Sequence, residues 1–199
     1  SIMQIEAIKK ATAMGYYTLA VAYDRNAAGR DLADEFYEVS TIDVAAVLNV
    51  AKKCHIDGVV TVATDMPVRT AAVLSEERGS PGMSKEVAIR ATDKIEMIKA
   101  FQKHQVPSPK FWIVENDASF QRQKKELEYP VIFKPQESSG SRGVILVKRE
   151  EDTRQAYEYT KSFSKTGEIL IEEYLDGPEV SVEVICENKE VQELAITDK

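Results

Sequence analysis

Apolar positions recur at Ile5, Ala7, Ile8, Ala11 and Met14, a helical spacing that Gly15 ends. The run "TLAVAY" (18–23) has the continuous apolarity of a buried strand. Asp24, Arg25, Asn26 and Gly29 follow as a turn-rich loop, and "FYEV" (36–39) predicts a short strand. "STIDVAAVLNVAKKCH" (40–55) predicts a helix with Thr41 or Asp43 near its N-cap. "GVVTVA" (58–63) is another short apolar run, read as a strand. "MPVRTAAVLSEER" (66–78) returns to helical spacing with Pro67 in its first turn. Strands separated by helices imply a parallel sheet with crossovers. Such a domain ordinarily opens on a strand, and none precedes Ile5, so either the domain starts unusually or its first strand is missing from the sequence.

The pattern changes further on. A turn (78–84) leads to helices at 84–91 and 93–105, the second capped by Thr92 or Asp93, and "VPSPKFW" reads as an extended linker. Strands are then predicted at 110–115, 130–135, 143–148 and 168–174, with helices at 118–127 and 150–163. After "LDGPE", two runs flank the turn-like Asn188-Lys189 as an antiparallel hairpin. This half is α+β in character. No internal repeat or low-complexity tract is present.

Of the 199 residues, 43% are hydrophobic and 30% charged, as suits a globular chain with a real core. The net charge of -7 argues against a nucleic-acid or anionic-membrane binder, both of which want a basic surface. No run reaches the roughly 18 apolar residues of a membrane span. With no secretory pattern at the start, the expectation is a cytoplasmic protein with Cys54 and Cys186 as reduced, buried thiols.

Three segments carry candidate chemistry. "KPQESSGSRGV" (134–144) joins two strands. Lys134 ends the first with its ammonium expected free. Ser138, Ser139, Gly140, Ser141 and Gly143 let backbone approach a ligand closely, and Arg142 offers a forked donor. It is either a hairpin loop or a cover for phosphates, and it is not a Walker A loop. "ILIEEYLDGPEVSVEVI" (169–185) ends a strand on Glu172 and Glu173, bends at Gly177-Pro178 and restarts after Glu179. It is either an acidic turn or a linker whose backbone meets an adenine edge. In "ATDKIEMIKAF", Lys94 lies in a helix's first turn, where a cation is poorly placed. It is a surface lysine or one aimed at anionic phosphate.

In this order, "ATDK", "VPSPKFW", "YPVIFKPQESSGSRGV" and "LIEEYLDGPEVSVEV" resemble the ATP-grasp superfamily, the fold of biotin carboxylase, the carbamoyl phosphate synthetase large subunit and the carboxylate–amine ligases of purine synthesis. The resemblance covers about 91–199, and residues 3–90 look like the companion domain preceding it. It implies an α/β fold. A Rossmann-like parallel-sheet domain would span 1–91, and an ATP-grasp domain 92–199, with an α+β lid at about 111–172, the start of the C-terminal subdomain and an incomplete C-terminal end. Lys94 and Lys134 would contact ATP phosphates, with Lys134 and Arg142 as the catalytic cations. Residues 137–143 would form a mobile flap, Ser138, Ser139, Gly140, Ser141 and Gly143 among them. Glu172, through its backbone, with Glu173 and Tyr174 would meet the adenine edge. Ile132, Val144 and Leu175 would sandwich the ring, and Glu179 would bind the ribose.

The cofactors implied are ATP and Mg²⁺. The metal ligands of the family, a glutamate and a Glu-x-Asn pair, are expected beyond Lys199. The chemistry implied is phosphorylation of a small-molecule carboxylate and attack on the acylphosphate by an amine or similar nucleophile, in a protein free to be a homodimer. The alternatives are a nucleotide-binding module or fragment that transfers nothing, and an α/β interaction domain. The glycine run of biotin carboxylase is replaced by Glu137-Ser138-Ser139-Gly140-Ser141, which implies a stiffer flap. Arg69 is a candidate for holding a substrate carboxylate. His55 and His104, lacking evident partners, are read as structural.

Overall fold

A computed structural model describes residues 2–188 and 190–199. Its first half is helical around a small parallel sheet. Helix α1 (Ile5–Ala13) leads into strand β1 (Leu19–Ala22), which pairs in parallel with β2 (Glu35–Glu38), Leu19 opposite Glu35. Helix α2 (Val44–Cys54) is capped by Asp43, whose carboxylate accepts the Ala46 N–H at 3.0 Å. Its face buries Val47 and Ala51 against Leu74 of α3 (Pro67–Arg78), with Val21, Val39 and Val59 packed around them. Gly79, in the left-handed region at φ +64°, ends α3.

The run at 58–63 departs from expectation, for it forms no strand. Its β-branched residues supply propensity, but a strand requires a ladder partner alongside, and none among the described residues pairs with it. Val59 still packs into the core, and the Val62 carbonyl accepts from the Gln4 side chain at 3.2 Å.

Helices α4 (Lys85–Thr92) and α5 (Lys94–Lys103) lead to a four-stranded antiparallel sheet. Its strands are β3 (Phe111–Val114), β4 (Val131–Pro135), β5 (Ile145–Val147) and β6 (Ile169–Glu173), in the spatial order β3-β6-β4-β5. Helices α6 (Asp117–Gln123) and α7 (Thr153–Lys161) cover one face. Val131, Phe133, Val147, Ile169 and Ile171 bury there against Phe120 and Tyr157, whose rings stack at 4.1 Å. Against the other face lies α5, its Ile95 and Ile98 packed on Leu170 with Phe111 and Ile113.

The last strands, β7 (Val180–Glu187) and β8 (Glu190–Asp198), form an antiparallel hairpin with a register shift at Glu183/Val184. Asn188 enters its turn at φ 50°, and Lys189 lies outside the described residues. Nearly all of its side chains are exposed, Val182, Val184 and Ile196 included. Cys186 is exposed with them, contrary to the burial expected of it, because the hairpin has no covering layer among the described residues. Cys54 is half-buried, its Sγ 3.0 Å from the Tyr37 hydroxyl. His55 and His104 each follow a helix end, His55 in the left-handed conformation that closes α2.

Candidate anion-binding cleft

The alternation of β4 decides which side chains reach the cleft. Val131, Phe133 and Pro135 turn into the core, so Ile132 and Lys134 turn to the opposite face. Glu172 lies opposite Ile132 in the register with β6, and paired residues share a face. Lys134 Nζ and the Glu172 carboxylate meet there in an ion pair, their side chains 27% and 12% exposed. The expected free ammonium is therefore corrected. A cation and a carboxylate brought side by side away from water pair with each other.

Asp93 caps α5 with bonds of 3.0 Å from the N–H groups of Ile95 and Glu96. That leaves Lys94 at the first helical position, its N–H on the Gln136 carbonyl at 3.1 Å and its Nζ on the Ser138 carbonyl. Burial pushes the Lys94 ammonium below the ordinary lysine value, and the charge of Lys134 pushes the same way. Asp65, Asp93 and Glu172 oppose that shift. The poor placement noted in the sequence is real, and the Asp93 carboxylate offsets it.

The loop above these lysines is pinned at both ends. Glu137 accepts a 2.7 Å bond from Arg69 of α3. At the far end Gly143 is buried with φ +74°, and a Cβ there would come within 2.7 Å of Phe163 and Pro135. Its carbonyl accepts from Thr160 Oγ1 at 2.9 Å. Between the pins, Ser138 and Ser139 are half-buried, while Gly140, Ser141 and Arg142 are exposed. Arg142 bonds within the loop, Nε to the Ser139 carbonyl at 3.2 Å, and does not line the cleft. Arg69 is already engaged by carboxylates of this chain, Glu137 at 2.7 Å and Asp93 at 3.9 Å, which removes it as a free receptor for a substrate acid.

At the end of β6 the N–H groups of Glu173 and Tyr174 donate to the carbonyls of Lys110 (2.9 Å) and Pro130 (3.2 Å). The carboxylate of Glu173 accepts the Lys110 N–H at 3.1 Å. A ring edge arriving here would have to use other backbone groups. Ile132 and Val144 are half-buried, and Leu175 is 63% exposed. Leu146 of β5, opposite Ile132 in the register, was not singled out in the sequence. Glu179 is exposed. Its bond from Lys199 holds the carboxyl below the usual range, and the charge of Lys134 adds to that lowering.

Lys94, Lys134, Glu137, Ser138 and Glu172 line a cleft of about 460 Å³. Its other walls, Asp65, Met66, Met97, Phe101 and Pro107–Pro109, were not foreseen. Chemically, two ammoniums in a partly desolvated cleft can hold a polyanion, and the apolar wall can take a flat or aliphatic group beside it.

An antiparallel sheet joined to a helical parallel layer, with two lysines lining one cleft beneath a serine–glycine loop, defines an α/β class of protein with a candidate anion-binding cleft. The sequence pattern of the ATP-grasp domain matches residues 91–199, more than half of the chain, and the chain belongs to the ATP-grasp family. It is 31% identical over 155 residues to phosphoribosylamine–glycine ligase of Pyrococcus furiosus, covering 75% of this chain and 35% of that protein. It is 27% identical over 175 residues to formate-dependent phosphoribosylglycinamide formyltransferase of Sulfurisphaera tokodaii, covering 85% of this chain and 44% of that one. The chain thus spans less than half the length of these relatives.

Among solved structures, N5-carboxyaminoimidazole synthetase from Staphylococcus aureus complexed with ADP superposes with TM-score 0.79 at 19% identity, over 98% of this chain and 51% of that one. The biotin carboxylase domain dimer of Hydrogenobacter thermophilus 2-oxoglutarate carboxylase, in complex with MgADP, gives 0.78 at 20%, over 97% and 47%. At these identities they show the fold. No helix among the described residues is long and apolar enough to cross a membrane.

Proposed function

We propose that this chain carries the ATP-binding part of an ATP-dependent carboxylate–amine or related ligase that works through an acylphosphate. The carrying observation is the convergence of Lys94 and Lys134 on one cleft beneath the loop 137–143. In this reading 1–91 is a companion domain, 92–199 belongs to the ATP-grasp domain, and about 111–172 is its lid. The triphosphate displaces two protein acceptors. Lys94 leaves the Ser138 carbonyl and Lys134 turns from Glu172, so both cations meet phosphate oxygens. Ile132 and Val144 supply an apolar surface for the ring. The strand end at Glu172–Leu175 offers its edge, and Glu179 is within the field of Lys134 to take ribose hydroxyls. Arg142 reaches phosphate only if the loop closes further.

Mg²⁺ supplies charge neutralisation on a transferring phosphoryl group. Among the described residues no group of three or more His, Cys, Asp or Glu is placed to hold a metal. The substrates are read as a small carboxylate and a nucleophile, in a cytoplasmic protein. Assembly as a homodimer follows the biotin carboxylase relative described as a dimer.

Calorimetric titration with MgATP tests the reading. Lys134→Ala removes a charge-assisted contact and is expected to weaken binding by about ten- to a hundredfold. Unchanged affinity would sink the assignment of the cleft. A longer chain that carries an intact metal site and binds MgATP, yet releases no ADP with any acid, would be a binding module; these 199 residues alone are expected to be inactive.

A further inference from the structure

Arg69 belongs to the first turn of α3, and Glu137 follows it by 68 residues at the root of the loop. Its guanidinium has three engagements. Nε donates to Thr92 Oγ1 at 2.6 Å, Nη1 to Glu137 at 2.7 Å, and Nη2 faces Asp93 at 3.9 Å with no hydrogen bond of its own. The Arg69 and Glu137 side chains are only 22% and 14% exposed, so water screens their attraction poorly. Next to Glu137, the Gln136 side chain donates to Asp93 at 2.7 Å and accepts from Thr166 at 2.6 Å. One network thus joins α3, the α4–α5 junction and the root of the loop. The junction it reaches is the one that sets Lys94.

We infer that Arg69 is a positioning residue that clamps the root of the loop at Glu137, confining loop motion to 138–142 and holding the Ser138 carbonyl over Lys94. The far end is fixed independently by Gly143 against Phe163 and Pro135. The clamp therefore decides where the hinge lies. With it, the chain bends beyond Glu137. Without it, the bend moves back into Gln136, and the loop descends on the cleft from a different height. The inference rests on the reading that this loop closes over phosphates.

Hydrogen exchange of the ligand-free protein tests it, with Arg69→Gln, Glu137→Gln and the double variant beside the wild type. Each single change is expected to speed exchange of the Lys94 amide, which donates to the Gln136 carbonyl at the root of the loop, by about tenfold, the loss of one charge-assisted bond. The double variant should be no faster than either single, because both remove the same contact. Amides of β4 and β6 should hold their rates. Glu137→Gln leaves Arg69 on Thr92 and beside Asp93, so it remains informative if Arg69→Gln does not fold. Unchanged Lys94 exchange, additive effects, or acceleration spread evenly through the sheet would overturn the clamp. MgATP affinity measured on the same preparations separates the two ideas. A wild type that does not bind ATP defeats the proposed function while the exchange data still judge the clamp. ATP binding with unaltered exchange in Glu137→Gln defeats the clamp alone.

Discussion

Lys94 carries the clearest residue-scale consequence. Burial, and then the charge of Lys134, lower its pKa in the folded chain from the ordinary 10.5. Between the lowered value and 10.5 the unfolded chain holds the extra proton, so stability rises with pH across that interval. The cost of keeping Lys94 charged is present at neutral pH and is relieved in alkali. A bound triphosphate acts in the opposite sense, since it favours the ammonium. ATP binding at alkaline pH, as the pH approaches 10.5 from below, is therefore expected to take up protons. Titrations in buffers of different ionisation enthalpy should show that uptake, and Lys94→Met should abolish it. Lys134 teaches the complementary lesson. Its place at the end of β4 was legible from the apolar run Val131–Phe133 before it, but its face and its partner were not. Glu172 reaches it only because β6 inserts between β3 and β4, a sheet order that no local pattern announces.

At the scale of the element, α5 shows how a cap positions a functional side chain. Asp93 is 4% exposed and satisfies two N–H groups of the first turn as well as the Gln136 amide. Asp93→Ala is expected to cost about 2 kcal/mol, the upper end for a lost cap. Urea denaturation would measure this, with Ser84→Ala at the exposed cap of α4 as the milder comparison. A loss no larger than that comparison would show Asp93 to be an ordinary cap. The helices were largely legible because their faces repeat with a period of 3.6 and their caps are local. The antiparallel strands were legible because β4 and β6 each open on a run of three apolar residues, Val131–Phe133 and Ile169–Ile171. Residues 58–63 were misjudged because propensity is local while a ladder is not. Arg69 was noticed, yet Glu137 is 68 residues away, so its engagement could not be read from either segment. Met97, Phe101 and Pro107 escaped notice because they form a wall only after α5 packs on the sheet.

On the scale of the whole molecule, the two layers differ in how well they are covered. The four-stranded sheet has helices on both faces, whereas the hairpin of β7 and β8 exposes both of its own. A two-stranded ribbon without cover is marginal in water. In a polypeptide of these 199 residues, amides of 180–198 should exchange fastest among the strands. In a longer chain that packs against them, they should slow to rates like those of β6. Equal rates in both would mean that the hairpin is stable by itself.

The pinned loop has a consequence for timing. With Glu137 held at one end and Gly143 at the other, only a crown of a few residues is free to swing. Loops of that size rearrange in roughly nanoseconds to microseconds. Turnover in enzymes is typically about 1–1,000 per second. If the loop gates the cleft as proposed, it would open and shut many times within one catalytic cycle of the whole enzyme. It can sort which molecules stay, but it cannot be the clock. On the proposed function, a slow departure of nucleotide would then be set by larger bodies moving apart.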